Sequence, residues 1–461
     1  MYFNDLKNYA FKGFFSSQFF YLRSVKKIVR HIMLKNSYLN KIPALKEQIL
    51  LTGYLFKWIL LCVIIGVLAG TASAGFLLSL EWVTNWREHH FWMIYFLPLG
   101  GLLIGLIYHY YGQDVSDGNN QLLEEFHHPK KIIPFKMAPM IWFTTVLTHF
   151  VGGSAGREGT AVQMGGSIAD QLTHIFKFKP RDRKVLLIAG IAAGFASVFG
   201  TPLAGTIFGL EVLIIGQLSY SAILPSLLSA IIADQTCRAW KVGHTHYPIE
   251  SIPFLDQWGV LSAIVAGILF GITAMLFSKV MHKISAFFKQ KISYAPLRPF
   301  IGGGILVVVI CLLKWVVPAY STRYLGLGIP VIVESFGQQL SFIDFAAKLL
   351  FTAFTLGVGF KGGEVTPLFF IGATLGSALS IVLPLPVGLL AGMGFVSVFA
   401  GAANTPLACI VMGCELFGIQ AGVFIAIACI VSFLFSGNSG IYSSQRIGNY
   451  KHPLLRRYSN K

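Results

Sequence analysis

The chain has 461 residues, 55% hydrophobic and only 12% charged, with a formal net charge of +17 and a mean hydropathy of +0.67. That composition lies far outside the soluble range and describes a polytopic membrane protein. The positive charge gathers in tails and loops with no basic-aromatic module beside it, which sets nucleic acid aside as a partner.

In chain order, residues 1–53 come first as a basic segment, carrying Lys7, Lys12, Arg23, Lys26, Lys27, Arg30, Lys35, Lys41 and Lys46 against Asp5 and Glu47. No small-residue cleavage site accompanies the first apolar run, so this leader is expected to be retained. Apolar segments then recur at 57–80, 92–110, 137–151, 160–176, 185–198, 201–217, 221–234, 257–280, 299–318, 343–358, 366–383, 386–400, 405–417 and 420–436. Many are shorter than the roughly 20 residues of a straight span, and Gly or Pro interrupts them. Discontinuous helices are therefore expected, since lipid tolerates broken backbone only where protein or a cavity surrounds it. The loop Lys177–Lys184 and the tail 446–461, with Arg446, Lys451, Arg456, Arg457 and Lys461, join the leader on the cytoplasmic side by the positive-inside rule.

Four polar or charged bends interrupt the apolar pattern: Asp117–Asn120, Gly156–Thr160, Lys361–Pro367 and Ser436–Tyr442. The second places Arg157 and Glu158 between Gly156 and Gly159, at a depth where charge is costly and marks function. The apolar run after it starts a helix whose free N–H groups point back at the bend and favour anions. A carboxylate at such a helix end can compete with a permeating anion for one position, and it can carry a proton. The six cysteines fall mostly within apolar runs without paired spacing and read as packing residues. Glu124-Glu125-Phe126-His127-His128 has metal-ligand residue types but not the spacing of a zinc site, so no metal and no cofactor is expected.

The chain also resembles itself. Thr201-Pro202-Leu203-Ala204 recurs as Thr405-Pro406-Leu407-Ala408, and the same step of 405 − 201 = 204 carries Gly209 onto Gly413 and Glu211 onto Glu415. Arg157 and Gly159 land by that step on Lys361 and Gly363. Two repeats are predicted, at 54–237 and 259–445, joined by the polar stretch 238–258. The segment pattern alone leaves their relative orientation, parallel or inverted, open.

At Gly156-Arg157-Glu158-Gly159, and at Gly194-Phe195-Ala196 running into Thr201-Pro202-Leu203-Ala204-Gly205, the sequence resembles the CLC family of anion channels and anion/proton antiporters. The resemblance runs from about residue 55 to 445 and implies an all-α polytopic membrane protein with an inverted repeat of two halves and discontinuous tilted helices. It further implies a homodimer with one anion pathway per subunit, and Glu158 as the gating glutamate. Departures from the chloride-type pattern narrow it. Gly118, Asn119 and Asn120 stand where chloride-type members have Gly-Ser-Gly-Ile-Pro, Thr160 replaces the proline after the gating motif, and Val212 replaces the inner glutamate. Together with Gly362–Pro367 and Tyr442, these residues look like the CLC-F branch of bacterial fluoride/proton antiporters. A chloride-selective channel or exchanger is the alternative. The branch implies the bacterial inner membrane as the location and fluoride, protons and membrane lipid as partners.

Fluoride is small and tightly hydrated, so its path must offer strong donors in place of water. Asn119 supplies an amide, Thr366 a hydroxyl, Tyr442 a hydroxyl or a ring edge, and the bends at Gly118, Asn120, Gly156, Arg157, Gly159, Thr160 and Gly363 supply backbone and side-chain groups. Glu364 is the candidate second proton-handling group, with an ion pair to Lys361 as the competing reading. Glu211 and Glu415 are expected to cap or pair structurally. An intramembrane enzyme using Glu158 with His149 lacks a nucleophile–base pair or metal constellation.

Overall fold

The computed structural model describes residues 43–438 and 440–452. Most of the basic leader and the last residues of the tail lie outside the described residues. Residues 43–61 belong to a unit of their own, and the account that follows concerns Cys62–Lys461.

Sixteen α-helices are present among the described residues, eight in each half of the chain. The first eight are α1 (Pro43–His89), α2 (Leu97–Tyr110), α3 (Asn119–His127), α4 (Met137–Phe150), α5 (Glu158–Phe176), α6 (Pro180–Phe199), α7 (Pro202–Glu211) and α8 (Ile223–Ala239). The second eight repeat the order: α9 (Gln257–Lys291), α10 (Leu297–Val316), α11 (Ile329–Gly337), α12 (Phe342–Gly357), α13 (Val365–Leu379), α14 (Val387–Ala403), α15 (Pro406–Phe417) and α16 (Gly422–Phe435). The only strands among the described residues are β1 (Ile214–Ile215) and β2 (Arg446–Ile447), which pair in parallel. Helices α3 and α11 are short and amphipathic and fall outside the apolar segments read from the sequence.

Local chemistry sets the ends of these helices. Proline opens α6, α7 and α15 at positions where its missing N–H costs nothing. Asp256 caps α9 by accepting from Gly259 N at 2.7 Å, and Ser341 caps α12 by accepting from Ile343 N at 3.2 Å. Helices α6 and α14 both end in a left-handed residue, Gly200 (φ 72°) and Asn404 (φ 58°), before the repeated Thr-Pro-Leu-Ala. Four stretches, Glu47–His89, Phe91–Tyr110, Gln257–Lys291 and Leu297–Val316, are long and apolar enough to cross a membrane. The remaining apolar helices are shorter, as expected of discontinuous segments.

The step of 204 holds at α7 and α15 but not at the charged bends. Helix α6 has 20 residues and α14 has 17, so α5 and α13 and the charged bends just before them correspond at a step of 207, three positions further on. This corrects the sequence-based pairing of Arg157 with Lys361 and of Gly159 with Gly363. Arg157, the residue before α5, corresponds to Glu364, the residue before α13. Gly156 corresponds to Gly363, and these two bond each other reciprocally: Gly156 N donates to Gly363 O at 2.6 Å, and Gly363 N to Gly156 O at 2.8 Å. The bridge is antiparallel. Equivalent residues that pair with each other in antiparallel fashion place a local two-fold relation between the halves.

The same relation recurs at α7 and α15. Glu415 accepts from Leu203 N at 3.0 Å and Ala204 N at 2.8 Å, and Glu211 accepts from Leu407 N at 3.1 Å and Ala408 N at 2.9 Å. Each glutamate therefore caps the other half's helix, satisfying two free N–H groups and meeting the positive end of the dipole. Helices α5 and α6 touch through glycine, a Cβ built on Gly165 lying 2.3 Å from Gly190 O, and α13 and α14 do so at the equivalent Gly372, 2.0 Å from Gly394 O. Small residues at these crossings let the broken helices stack backbone against backbone.

Candidate functional site

The Gly156–Gly363 bridge holds the starts of α5 and α13 against each other, and the side chains at those starts form the site. Glu158, the first residue of α5, is fully buried. Its carboxylate accepts from Thr366 N at 3.0 Å and from Thr366 Oγ1 at 2.5 Å on one oxygen and 2.6 Å on the other. Arg157 N adds a contact at 3.2 Å, and Arg157 Nε one at 3.4 Å. These groups converge on one carboxyl at two helix N-termini, a place that favours negative charge.

Around it stand the other residues expected from the sequence. A Cβ built on Gly159 would lie 2.9 Å from Asn119 Nδ2 and 3.5 Å from Glu364 Oε2, so Asn119 and Glu364 both face the start of α5. Among the described residues, neither Asn119 Oδ1 nor Glu364 Oε2 has a hydrogen-bond partner, although both atoms are buried. Buried polar atoms without a partner invite a transported ion, a proton or water. Tyr442, in the bend that follows α16, is buried. The Thr160 hydroxyl shares a hydrogen bond with Thr145 Oγ1 at 2.8 Å.

Other groups hold these in place. Gly118 precedes α3 with φ 57°, and a Cβ there would meet the Gln163 side chain at 3.1 Å. The Asn120 side-chain Oδ1 accepts from Ser444 N at 3.1 Å, tying the stretch just after the fourth bend to the first. Gln445 Nε2 donates to Val212 O and Ala403 O, both at 2.8 Å. Lys361 does not ion-pair with Glu364: its ammonium donates to Ser116 O at 3.0 Å and lies 4.0 Å from the centre of the Tyr108 ring. His149 is fully buried beside Arg87 and Lys348, and no hydrogen bond joins it to Glu158. Among the described residues no group of His, Cys, Asp and Glu is arranged to hold a metal.

The sequence reading missed Arg87 and Lys348, two buried cations. Lys348 shares the otherwise apolar run 343–358 only with Asp344, and charge at membrane depth was the available signal.

The family model described as "Voltage gated chloride channel" matches residues 100–437. The chain belongs to the CLC family. The CLC pattern extends along almost the whole chain: the "Chloride/fluoride channel protein" of Pseudomonas syringae pv. tomato is 54% identical over 406 residues, covering 88% of this chain and 90% of that protein. A solved structure described as a CLC-type fluoride/proton antiporter superposes with a TM-score of 0.81 at 37% identity, over 86% of this chain and 98% of the other. The "H(+)/Cl(-) exchange transporter ClcA" of Vibrio vulnificus strain YJ016 is more distant, 25% identical over 423 residues, with 86% of this chain and 90% of that protein covered. As a CLC protein, this chain is a multi-pass membrane protein of an ion-transport family.

Proposed function

We propose that the protein is a fluoride/proton antiporter that exports fluoride from the cytoplasm, driven by proton influx. The single observation that carries this reading is the seat of Glu158. Its carboxylate takes the Thr366 N–H, the Thr366 hydroxyl and the Arg157 N–H, donors that suit a small, strongly hydrated anion equally well. Ionised, Glu158 fills the seat; protonated, it loses its attraction for those donors, leaves with its proton and yields the seat to fluoride. The likeness to a CLC-type fluoride/proton antiporter and to a protein named for chloride and fluoride supports fluoride over chloride.

The remaining roles belong to the same reading. Glu364 is the second proton-handling group, its Oε2 unpartnered and facing the start of α5. Asn119 and Tyr442 line the seat as anion ligands. Gly118, Asn120, Gly156, Gly159, Thr160 and Gly363 shape the backbone around it. The halves 54–237 and 259–445, flanked by the basic segment 1–53 and the tail 446–461, sit in the bacterial inner membrane with both flanking segments cytoplasmic, as a homodimer surrounded by lipid. Flux measurements in liposomes, comparing fluoride with chloride and following protons in the same vesicles, test this reading.

A further inference from the structure

Apart from the Glu158 seat, a cavity of about 410 Å³ opens beside Arg87, Thr322 and the turn that leads into α11. The turn is unusual in its backbone. Gly326 (φ 55°) and Gly328 (φ 74°) are both left-handed, and Gly328 precedes α11 without a side-chain cap. Among the described residues, no acceptor takes the N–H groups of Leu327, Gly328 and Ile329, and all three residues line the cavity. Successive free N–H groups in such a turn make an anion-binding concavity.

Two buried cations flank this turn. Arg87 is 7% exposed and lines the cavity, with Nη1 2.8 Å and Nη2 3.3 Å from a Cβ built on Gly326. One of its N–H groups reaches His149 O at 3.3 Å, and Glu88, itself largely exposed, stands 3.7 Å away. Lys348 is fully buried. Its ammonium donates to Tyr324 O at 3.0 Å and Gly326 O at 2.8 Å and lies 3.5 Å from a Cβ built on Gly328. No carboxylate pairs with Lys348 among the described residues, while the neighbouring Arg323 is taken up by Glu334 and Asp344, each at 2.8 Å. A buried ammonium without a counter-ion carries a large desolvation cost.

We infer that this turn is a second anion site, at which a single halide or similarly small inorganic anion binds the N–H groups of Leu327, Gly328 and Ile329 between Arg87 and Lys348. The site touches the bend that carries the gate, because Gly326 N donates to Gly153 O at 3.2 Å. An anion here fixes the turn against Gly153, five positions before Glu158. The inference is independent of which ion passes Glu158.

Calorimetric titration of the purified full-length protein with sodium fluoride and with sodium chloride tests it, using wild type, Arg87→Gln and Lys348→Met. Wild type is expected to bind one anion per chain more than either variant, or to bind it about tenfold or more tightly, as the loss of a charged hydrogen-bond donor implies. The halide that binds more tightly identifies the natural occupant. Equal stoichiometry and affinity in all three proteins would overturn the site. Bromide-soaked crystals of the wild-type chain need no variant: anomalous density is expected within hydrogen-bond distance of the Leu327, Gly328 and Ile329 N–H groups, and its absence there would also overturn the site.

Discussion

Glu158 and Thr366 lie 208 positions apart, yet Thr366 gives the Glu158 carboxylate both its backbone N–H and its hydroxyl. The contact joins the first residue of α5 to the first turn of α13, so the two halves share one seat for negative charge. Loosening it alters the balance between carboxylate and anion.

Thr366→Val keeps the backbone N–H and the branched shape and removes the hydroxyl. A hydrogen bond to a charged group contributes about 1.5–3 kcal/mol, so the seat should hold a passing fluoride roughly tenfold or more less tightly. Fluoride flux from liposomes is expected to fall by at least that factor, because the passing ion loses the same donor. Unchanged flux would remove Thr366 from the pathway.

Glu364→Gln preserves size and removes the titratable oxygen. Fluoride is expected still to move while the protons moved per fluoride fall sharply, measured by simultaneous fluoride-electrode and pH recordings. Full coupling in this variant would return Glu364 to a structural role.

Glu211→Gln and Glu415→Gln should separate capping from transport. Loss of charge at a helix N-terminus costs about 0.5–2 kcal/mol, so each variant should lower the unfolding temperature in detergent while proton coupling persists. A fully uncoupled Glu211→Gln protein of normal stability would show that Glu211 handles protons.

Gly363→Ala tests the bridge. A Cβ at Gly363 would lie 2.7 Å from Gly159 N, which is backbone and cannot swing aside. Overpacking of this kind costs about 1–3 kcal/mol, and both the unfolding temperature and fluoride flux are expected to drop. Wild-type flux from Gly363→Ala would mean that the two bends need not touch.

The duplication was legible because Thr-Pro-Leu-Ala is a helix start that recurs whole, with Glu211 and Glu415 in step. Glu158 stood out because charge is rare at depth. The shift from 204 to 207 was hidden, since it arises from a three-residue difference inside the apolar helices α6 and α14, where one apolar residue reads like the next. Lys361 was therefore paired with Arg157, a place that belongs to Glu364. The reach of Thr366 to Glu158 and the gathering of Arg87 and Lys348 around Gly326–Gly328 depend on tertiary packing, which no spacing in the chain encodes. Glu211 and Glu415 each needed the opposite half before their role as caps appeared.

The most direct test of the central claim is a paired flux measurement in liposomes, with wild type beside Glu158→Gln. Wild-type protein should pass fluoride faster than chloride and couple fluoride efflux to proton uptake against a gradient, whereas Glu158→Gln should move no protons. Chloride passing faster than fluoride, or intact proton coupling without the Glu158 carboxylate, would contradict the account.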